Sequence, residues 1–438
     1  MTVATSDATY NRPMAWKRRG ETTLGLTTIL HAFTHAYQGI LVPLYLLMVA
    51  DLHLAGVKQA GLLVTVYMLV YALGSYTAGV LADHVSRRDL LGYGIIVNAL
   101  AIALMGLTRN YNLLLLLAVV GGLAGTLFHP AANSLVPAHF PKSPGMAIGM
   151  LGIGSGLGFF LGPQYAGWRA QTATWHFAHV GNWQRPCVEM GLAGAVFGVI
   201  YLFFAREARA KGHASHPHAP PRRLISADQR IRVLSIGLIL GCRDFAGVAS
   251  FSLASIYLQK AMGYDARQTG FILGVMMLLT IVANPLAVWL SPGNRRLPTM
   301  IGILLVGAAI IATVPLWSKS FVLPVLIVFQ AAHLGSYAVS DAAMLERVPT
   351  EVRGRVVGLF LIVASTLAAI SPWCMGFWTD SFGADASRQM RYMPPFVALG
   401  VLMIVAAFSA PLIARLGKPI EHAINPLAEI SPTMETVV

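Results

Sequence analysis

Long apolar stretches separated by short polar segments recur along nearly the whole chain. A helix needs about 20 apolar residues to cross a lipid bilayer, and twelve stretches approach or exceed that length. Six precede and six follow one polar segment: residues 22–50, 59–82, 90–108, 111–140, 145–168, 187–205, 233–259, 268–290, 297–318, 320–345, 356–379 and 393–414. The pattern predicts an all-α integral membrane protein with twelve transmembrane helices.

The composition agrees with a membrane location. Of the 438 residues, 56% are hydrophobic and 11% are charged, whereas soluble globular proteins carry about 25% charged residues. This excludes a cytosolic enzyme, a disordered regulator and an ordinary nucleic-acid-binding protein. The cysteines lie in or beside apolar runs without metal-ligand spacing or a disulfide framework, so we interpret them as packing residues: Cys187, Cys242 and Cys374.

The polar segment divides the chain into two bundles with a tail at each end. The apolar run after Lys17 to Arg19 is too long for the core of a cleavable signal peptide. The linker histidines His213, His216 and His218 are irregularly spaced, which favours solvated loop residues over a metal-binding tract. The predicted organisation is a cytoplasmic tail (1–20), a six-helix bundle (21–205), a cytoplasmic linker (206–232), a second six-helix bundle (233–415) and a cytoplasmic tail (416–438).

The distribution of positive charge predicts the orientation. With both termini in the cytoplasm, the inner segments hold 21 of the 31 Lys and Arg residues and the outer segments hold nine. Topology therefore explains the formal net charge of +13, and nucleic acid is not expected as a partner. We predict a multi-pass protein of the inner (plasma) membrane.

One outer loop, residues 170–186, is longer than its neighbours and rich in aromatic and histidine residues. It contains Trp175, His176, His179 and Trp183. The favoured interpretation is an aromatic anchor at the membrane interface. The alternative is a lid over a substrate entrance.

The two halves repeat short features. The arginine pair Arg87-Arg88 after the second stretch corresponds to Arg295-Arg296 after the eighth, although Asp83 is replaced by Ser291. Val-Pro follows the fourth stretch at residues 136–137 and the tenth at residues 348–349. This correspondence indicates duplication, with a central cavity between two pseudo-symmetric six-helix bundles.

The turn after the second stretch resembles a motif of the major facilitator superfamily, G-x-x-x-D-R/K-x-G-R/K-R/K. The matching residues are Gly79, Asp83, Arg87 and Arg88, whereas His84 and Ser86 depart from the motif. A glycine allows close helix approach, and an aspartate can cap or pair with cations at a neighbouring helix start. The resemblance implies that Asp83 holds the start of the eleventh helix, near residues 353–356, in the outward-facing state.

The fifth stretch resembles the antiporter signature of that superfamily, G-(x)8-G-(x)3-G-P-x-x-G-G. The matching residues are Gly149, Gly158, Gly162, Pro163 and Gly167, with Ala166 in place of one glycine. Gly154, Gly158 and Gly162 are four residues apart and form one ridge where helices approach closely. The ridge is interpreted either as a packing stripe or, through the resemblance, as a sign of exchange transport.

Two further segments resemble the fosmidomycin-resistance branch of the superfamily. The first stretch contains the segment from His31 to Pro43, and the fourth contains Phe128-His129-Pro130. Thr34-His35 stands where the branch has Asn-Asp. The branch implies proton-coupled efflux of small organic compounds, and hence drug resistance.

Histidines inside the membrane are candidates for proton coupling. His31 and His35 share one helix face, Gln38 continues that face, and His129 lies deep in the fourth stretch. Imidazole gains and loses protons near neutral pH, so these side chains predict a proton relay. The alternative is that they are hydrogen-bonded core residues that only tie helices together.

The seventh stretch contains the adjacent charges Arg243 and Asp244. Neighbouring helical residues point about 100° apart, so we expect that they do not simply face each other and that at least one needs a partner elsewhere. Arg243 is interpreted as an anion-binding or coupling residue, with a static inter-helix ion pair as the alternative. His333 and Asp341 of the tenth stretch are weaker candidates for transport residues. For Asp341, the favoured interpretation is a structural role at the end of the helix.

Three functions fit these features. The leading one is a transporter that exports a small organic, including anionic, compound in exchange for protons, with the proton gradient as energy source and no cofactor or resident metal. The second is a divalent metal exporter that uses His31, His35 and His129 as ligands. The third is a transport-dead sensor or scaffold. An enzyme is not expected. The predicted partners are a small-molecule substrate, protons and the lipid bilayer, and the protein is predicted to be a monomer.

Overall fold

The computed structural model describes residues 12–171, 182–208, 227–348 and 353–417. In this part of the chain the regular elements are helices. The α-helices of the N-terminal half are Arg12–Gly39, Tyr45–Asp51, Val57–His84, Arg87–Met105, Tyr111–Gly125, Phe128–His139, Pro144–Ala170 and Gln184–Phe204. Those of the C-terminal half are Ala227–Lys260, Ala266–Leu278, Thr280–Trp289, Arg296–Ala312, Val322–Leu345, Arg353–Ala369, Ser371–Asp380, Met393–Ala407 and Ser409–Ala414.

The prediction of twelve spans is confirmed. Within the described ranges, twelve helical segments are long and apolar enough to cross a membrane, and we number them spans 1 to 12. Short breaks divide spans 1, 4, 8, 11 and 12 into two helices each. The spans are Gly20–Asp51, Val57–His84, Arg87–Met105, Tyr111–His139, Pro144–Ala170, Gln184–Phe204, Asp228–Lys260, Ala266–Trp289, Gly293–Ala312, Val322–Leu345, Gly358–Asp380 and Gln389–Ala414.

Large apolar side chains cover much of the outer surface. Tyr76 and Phe203 are each 70% exposed, and Trp289 and Phe408 are each 65% exposed. A water-soluble monomer rarely presents so much contiguous apolar surface. The exposed apolar surface therefore faces lipid, in agreement with the predicted bilayer location.

Span 5 packs against span 1 along its glycine ridge. A Cβ atom at Gly158 or Gly162 would overlap the backbone of Ala32 or Ala36. The two helices therefore approach each other with backbone against backbone, which requires small residues at the interface. This contact holds the polar face of span 1 in a fixed position relative to span 5.

The bundle has two ends, which we name by the loops they carry. The linker end carries residues 205–208 and the turn at residues 84–87. The far end carries residues 52–56 and 381–388.

The two halves are joined closely at the far end. Asp380, at the end of span 11, accepts hydrogen bonds from the backbone N–H groups of Val57 (2.8 Å) and Lys58 (2.9 Å) at the start of span 2. Ser255 of span 7 donates to the Val42 carbonyl of span 1 at 2.7 Å. The far end is therefore closed by direct contacts across the halves.

The linker end is more open. At Gly79, Gly149 and Gly358, no described atom lies within 4 Å of where a Cβ would stand. By contrast, a Cβ at Gly61 or Gly376 near the far end would overlap the backbone of the other half. The contact between the halves thus weakens towards the linker end.

Candidate functional site

Three histidines from spans 1 and 4 meet inside the N-terminal half. His31 and His35 lie one helical turn apart and so share a face, and a break after Gly125 precedes the short helix that carries His129. One ring nitrogen from each lies within 4.8 Å of the others. We call His31, His35 and His129 the histidine trio; the first two are at most 8% exposed.

The hydrogen bonds of the trio restrict where protons reside. His31 Nδ1 lies 2.7 Å from the Leu151 carbonyl, so this nitrogen carries a proton, because a carbonyl only accepts. His31 Nε2 and His35 Nε2 are 3.0 Å apart and share one proton between them. His35 Nδ1 lies 3.2 Å from Gln38 Oε1.

The orientation of the Gln38 amide sets the charge of the pair. With Oε1 towards His35, the ring must donate from Nδ1 as well, and the His31–His35 pair then carries one positive charge. With the amide turned over, Gln38 donates and both rings are neutral. A single side-chain rotation therefore accompanies the gain or loss of one proton.

Aromatic rings enclose the trio. The Phe128 ring stacks on His31 with centroids 4.8 Å apart, and the Phe159 ring lies 4.5 Å from that of His35. The edge of Tyr71 faces His129 at 6.2 Å. These contacts limit the access of water to the imidazoles.

A cavity of about 180 Å³ lies between the two halves. Gln38 lines it from span 1, and Ser252, Gln330, His333 and Tyr337 line it from the C-terminal half. The remaining lining is mostly apolar and includes Val42, Val64, Met68, Phe159, Phe251 and Leu334. Gln38 therefore contacts both the trio and the cavity.

Arg243 and Asp244 form a closed cluster in the C-terminal half. Arg243 is fully buried, and its Nε donates to Asp244 Oδ1 at 2.8 Å. Its Nη1 donates to Ser340 Oγ at 2.8 Å, and its guanidinium lies 3.6 Å from the centroid of the Tyr337 ring. Asp341 also interacts electrostatically with Arg243.

The expectation that Arg243 and Asp244 do not face each other is wrong. The guanidinium stands at the end of a long flexible stem, so it bends sideways to reach the next residue despite the helical angle. The expected partner elsewhere also exists, because span 10 supplies Ser340. Tyr337, rather than Arg243, forms the cavity wall at this position.

The arginine turn after span 2 holds spans 3 and 6 together. Arg88 donates from Nε to the Ala205 carbonyl at 3.0 Å and also contacts the Leu202 carbonyl and Asp89. Ser86 Oγ accepts from the Asp89 N–H, so Ser86 caps span 3. Ser86 stands next to the first helical residue and so reaches the free N–H groups of span 3, whereas Asp83 is exposed.

The other residues of the motif at the turn after span 2 do not contact the histidine trio. Gly79 borders open space and Arg87 is half-buried. The predicted contact of Asp83 with residues 353–356 falls largely on side chains outside the described part of the chain. Its role in another conformation stays a prediction.

Glycines of the span 5 motif contact two other spans, and one glycine of the motif has no described neighbour. Gly158 and Gly162 contact span 1, and a Cβ at Gly167 would overlap the Ala266 carbonyl of span 8. Pro163 lies against Gly39 and against Gly270 of span 8. Gly149 has no described neighbour within 4 Å of its Cβ position.

The outer loop is described only at its two ends, residues 170–171 and 182–186. Trp183 is 1% exposed, and its Nε1 donates to Asp51 Oδ2 at 2.8 Å. For this residue the interpretation as an interfacial anchor is wrong, because the ring lies inside the helix bundle. Trp175, His176 and His179 lie outside the described residues, as do His213, His216 and His218.

Sequence reasoning missed three groups of polar residues. Glu189 of span 6 accepts from Tyr165 (2.7 Å) and Arg169 (2.7 Å), and an acid inside a span could have indicated it. Gln330 was missed because uncharged amides are common in helices. Asp380 was missed because its partners are backbone N–H groups far away in the sequence.

The fold and the site describe a membrane protein of two six-helix halves around a central cavity. The profile of the Major Facilitator Superfamily matches residues 24–372 and, in a second alignment, residues 236–433. The chain belongs to the Major Facilitator Superfamily.

Curated relatives of the chain carry names of resistance and export proteins. The chain is 33% identical over 166 residues to multidrug resistance protein MdtG of Dickeya zeae, covering 36% of this chain and 39% of that protein. It is 32% identical over 161 residues to the tetracenomycin C resistance and export protein of Streptomyces glaucescens, covering 36% and 29%. It is 26% identical over 230 residues to quinolone resistance protein NorA of Staphylococcus aureus, covering 52% and 56%. The matches span less than two thirds of each relative.

Solved structures share the fold over nearly the full length. A bacterial homologue of the human lysosomal transporter Spinster superposes with a TM-score of 0.76 at 17% identity, covering 91% of this chain and 97% of that one. A D-xylose-proton symporter superposes with a TM-score of 0.67 at 14% identity, covering 91% and 97%. At these identities the likeness shows the fold alone.

Proposed function

We propose that the protein is a secondary active transporter that exports a small organic compound in exchange for protons by alternating access. The single observation that carries the proposal is the position of Gln38. Its side chain hydrogen-bonds His35 of the trio and also lines the cavity between the halves. A proton site and a substrate site therefore share one side chain.

The trio has the properties that proton exchange requires. A solvated imidazole changes charge near neutral pH, and in this proposal the His31–His35 pair gains or loses one proton when the Gln38 amide turns. A bound substrate that donates a hydrogen bond to Gln38 Oε1 favours the orientation in which the amide nitrogen faces His35 and both rings are neutral. Substrate binding and proton release are then linked through a shared side chain.

The conformation supports loading from the linker end. The far end is closed by Asp380 and Ser255 contacts across the halves, whereas Gly79 and Gly149 border open space at the linker end. With both termini in the cytoplasm, as the positive-charge distribution predicts, this is the inward-facing state of an inner-membrane protein. An exporter takes up its substrate in that state.

The C-terminal charge cluster is assigned a supporting part in this proposal. Arg243 already has Asp244, Ser340 and the Tyr337 ring as partners. A buried charge with such partners is held firmly, and removal of one partner is costly. We therefore assign Arg243 to the connection of spans 7 and 10 rather than to anion binding.

A divalent metal exporter is the second candidate, and the trio geometry favours it. Three imidazole nitrogens within 4.8 Å of one another can converge on one ion, and imidazole suits zinc, nickel and iron. His31 Nδ1 donates to the Leu151 carbonyl, the kind of outer contact that orients metal-bound histidines. The experiment below separates the two candidates.

The test uses purified protein in vesicles that contain a pH-sensitive dye, with an imposed proton gradient. Candidate compounds are added singly: a phosphonate such as fosmidomycin, organic anions, cations and neutral compounds, lysolipids, Zn²⁺, Ni²⁺ and Fe²⁺. We expect an organic compound to trigger proton movement, and we expect His35→Gln and His129→Ala to abolish it. His84→Gln is the matched control, because His84 is exposed at the linker end.

Each outcome assigns the function. Proton movement triggered only by a metal ion would replace the proposal by metal export. Organic flux that persists unchanged in both trio variants would contradict a proton role for the histidines. Silence across the panel in folded protein would favour a transport-dead sensor or scaffold.

A further inference from the structure

Two side chains that line the cavity between the halves carry polar atoms without a well-aligned hydrogen-bond partner among the described residues. Gln330 and His333 of span 10 are 1% and 3% exposed, and both line the cavity. Gln330 Oε1 has no hydrogen-bond partner among the described residues. Neither His333 ring nitrogen has a well-aligned one, although the Arg243 carbonyl lies nearby. Buried polar atoms are normally paired, so these atoms indicate a missing ligand.

The orientation of the Gln330 amide is fixed by its other contact. Its Nε2 lies 3.3 Å from Met277 Sδ, and a thioether sulfur accepts hydrogen bonds but donates none. Turning the amide over would place two acceptors against each other. The unpaired atom is therefore the oxygen, and since Gln330 lines the cavity, a donor on a compound in the cavity is the partner that we assign to it.

The position of His333 is equally restricted. Its ring stacks on Phe329 with centroids 5.9 Å apart and meets the edge of Tyr337 at 5.2 Å. A Cβ at Gly247 would overlap the imidazole, so the ring lies against bare backbone of span 7. Because the Arg243 carbonyl is the acceptor nearest its N–H, a neutral imidazole held in this way leaves one acceptor nitrogen for a ligand.

The charge of the cavity excludes strong recognition of an ion. No Asp, Glu, Lys or Arg is among the described residues that line it. The nearby Arg243 is neutralised by Asp244 and is separated from the cavity by Tyr337. A carboxylate or phosphonate placed beside Gln330 Oε1 would bring two acceptors together and find no free cation.

We infer that this cavity takes a small, uncharged, largely apolar compound that carries an N–H or O–H group, with Gln330 as its acceptor and His333 as its second polar contact. The inference rests on the proposed transport function, because it names the substrate class for the same cavity. It also restricts that function, because anionic compounds are then poor substrates. The volume of about 180 Å³ is below the range of about 300–1,000 Å³ that is common for ligand pockets, so the compound is small.

The test uses three compounds of similar shape with different hydrogen-bonding groups. They are 4-propylphenol, which has an O–H donor, its methyl ether, which lacks the donor, and 4-propylbenzoate, which is anionic. Binding is measured on the purified protein in lipid nanodiscs without a proton gradient, after subtraction of uptake by empty nanodiscs. We expect the phenol to bind at least about tenfold more tightly than the ether, since the ether leaves a buried acceptor unpaired.

Two variants test whether Gln330 and His333 cause the preference for the phenol over the ether. Gln330→Met matches the shape of glutamine without its oxygen, so the phenol and the ether should bind about equally. His333→Phe preserves the aromatic packing and should weaken phenol binding several-fold. Gln164→Met is the matched control, because Gln164 Oε1 is also buried and unpartnered but lies outside this cavity. Size-exclusion profiles and melting temperatures establish that each variant is folded.

The outcomes separate this inference from the transport proposal. The substrate class is overturned if the phenol does not bind, if the ether binds as tightly as the phenol, or if the benzoate binds best. It is also overturned if the Gln330→Met protein, or His333→Phe where the former does not fold, retains the full preference of the parent protein. Phenol-specific binding without coupled proton movement would leave the substrate class standing and refute the exchange mechanism.

Discussion

The two halves touch backbone to backbone at the far end of the bundle, whereas at the linker end their glycines border open space. Gly61 and Gly376 have backbone atoms of the other half where a Cβ would stand. Gly79 and Gly149 are the same residue type at the linker end and have no described neighbour there. In this conformation the close contact between the halves requires glycine at positions 61 and 376, whereas positions 79 and 149 have room for a larger side chain.

Under the proposed alternating access, this difference gives small residues a use at both ends. A glycine that contacts nothing in one conformation becomes useful if that end closes in another. Bundles that rock about a central site close their ends alternately. We therefore expect Gly79 and Gly149 at the linker end to form contacts in the state in which the far end is open.

The largest effect is expected for Gly376→Val. The new side chain would meet the backbone at Lys58, and such overpacking costs about 1–3 kcal/mol, a roughly 5- to 150-fold shift towards an open far end. Double electron–electron resonance between spin labels at Ala55 and Ala384, in a cysteine-free background, measures the distance between the two far-end loops. Gly79→Val is the control, and an equal increase in that variant would contradict the comparison.

A smaller shift is expected for Asp380→Ala. The carboxylate caps the start of span 2 from the other half at 2.8 and 2.9 Å, and loss of a helix cap costs about 0.5–2 kcal/mol, a shift of about 2- to 30-fold. The same pair of spin labels reports the population with an open far end. Asp385→Ala, which removes a half-exposed acid paired with Arg388 in the same loop, should leave that population unchanged. A shift in both variants would point to general loop loosening.

Ser255→Ala removes one hydrogen bond across the closed end. Its hydroxyl donates to the Val42 carbonyl at 2.7 Å, and one such bond is worth about 0.5–1.5 kcal/mol, a shift of about 2- to 12-fold. Ser250→Ala is matched to it, since Ser250 is buried in the same span but donates to Gly247 of its own helix. The prediction fails if the label distances respond alike to the two substitutions.

The smallest effect on this conformation is expected for Gly149→Ala. No described atom meets the added methyl group, so the label distances and the melting temperature should stay the same, while transport should slow if this glycine packs when the linker end closes. Gly158→Ala, at the contact with Ala32 of span 1, should lower the melting temperature. Unchanged transport by a folded Gly149→Ala protein would show that the linker end closes without this contact.

Much of the architecture could be predicted because its causes are local. Each span is recognised by about 20 neighbouring apolar residues, and all twelve were found within a few residues of their observed ends. The shared face of His31 and His35 follows from helical periodicity alone. Short motifs likewise indicated the family that the profile match then established.

The site depended on contacts between residues far apart in the chain. His129 reaches His31 only because span 4 breaks and packs against span 1. Arg243 finds Ser340 on another span, and Asp380 caps a helix more than 300 residues away. Ser86 rather than Asp83 caps span 3, which a motif match does not reveal.

The sequence by itself determined the membrane class, the spans and the polar residues inside them, since hydropathy and helical periodicity act over one or two dozen residues. Only the tertiary structure decided which of those residues meet, which charges are already neutralised and which end of the bundle is closed. The physical reason is that buried polar groups are satisfied by whichever atoms the packing of whole helices brings within about 3 Å, and that packing depends on small residues along every span at once.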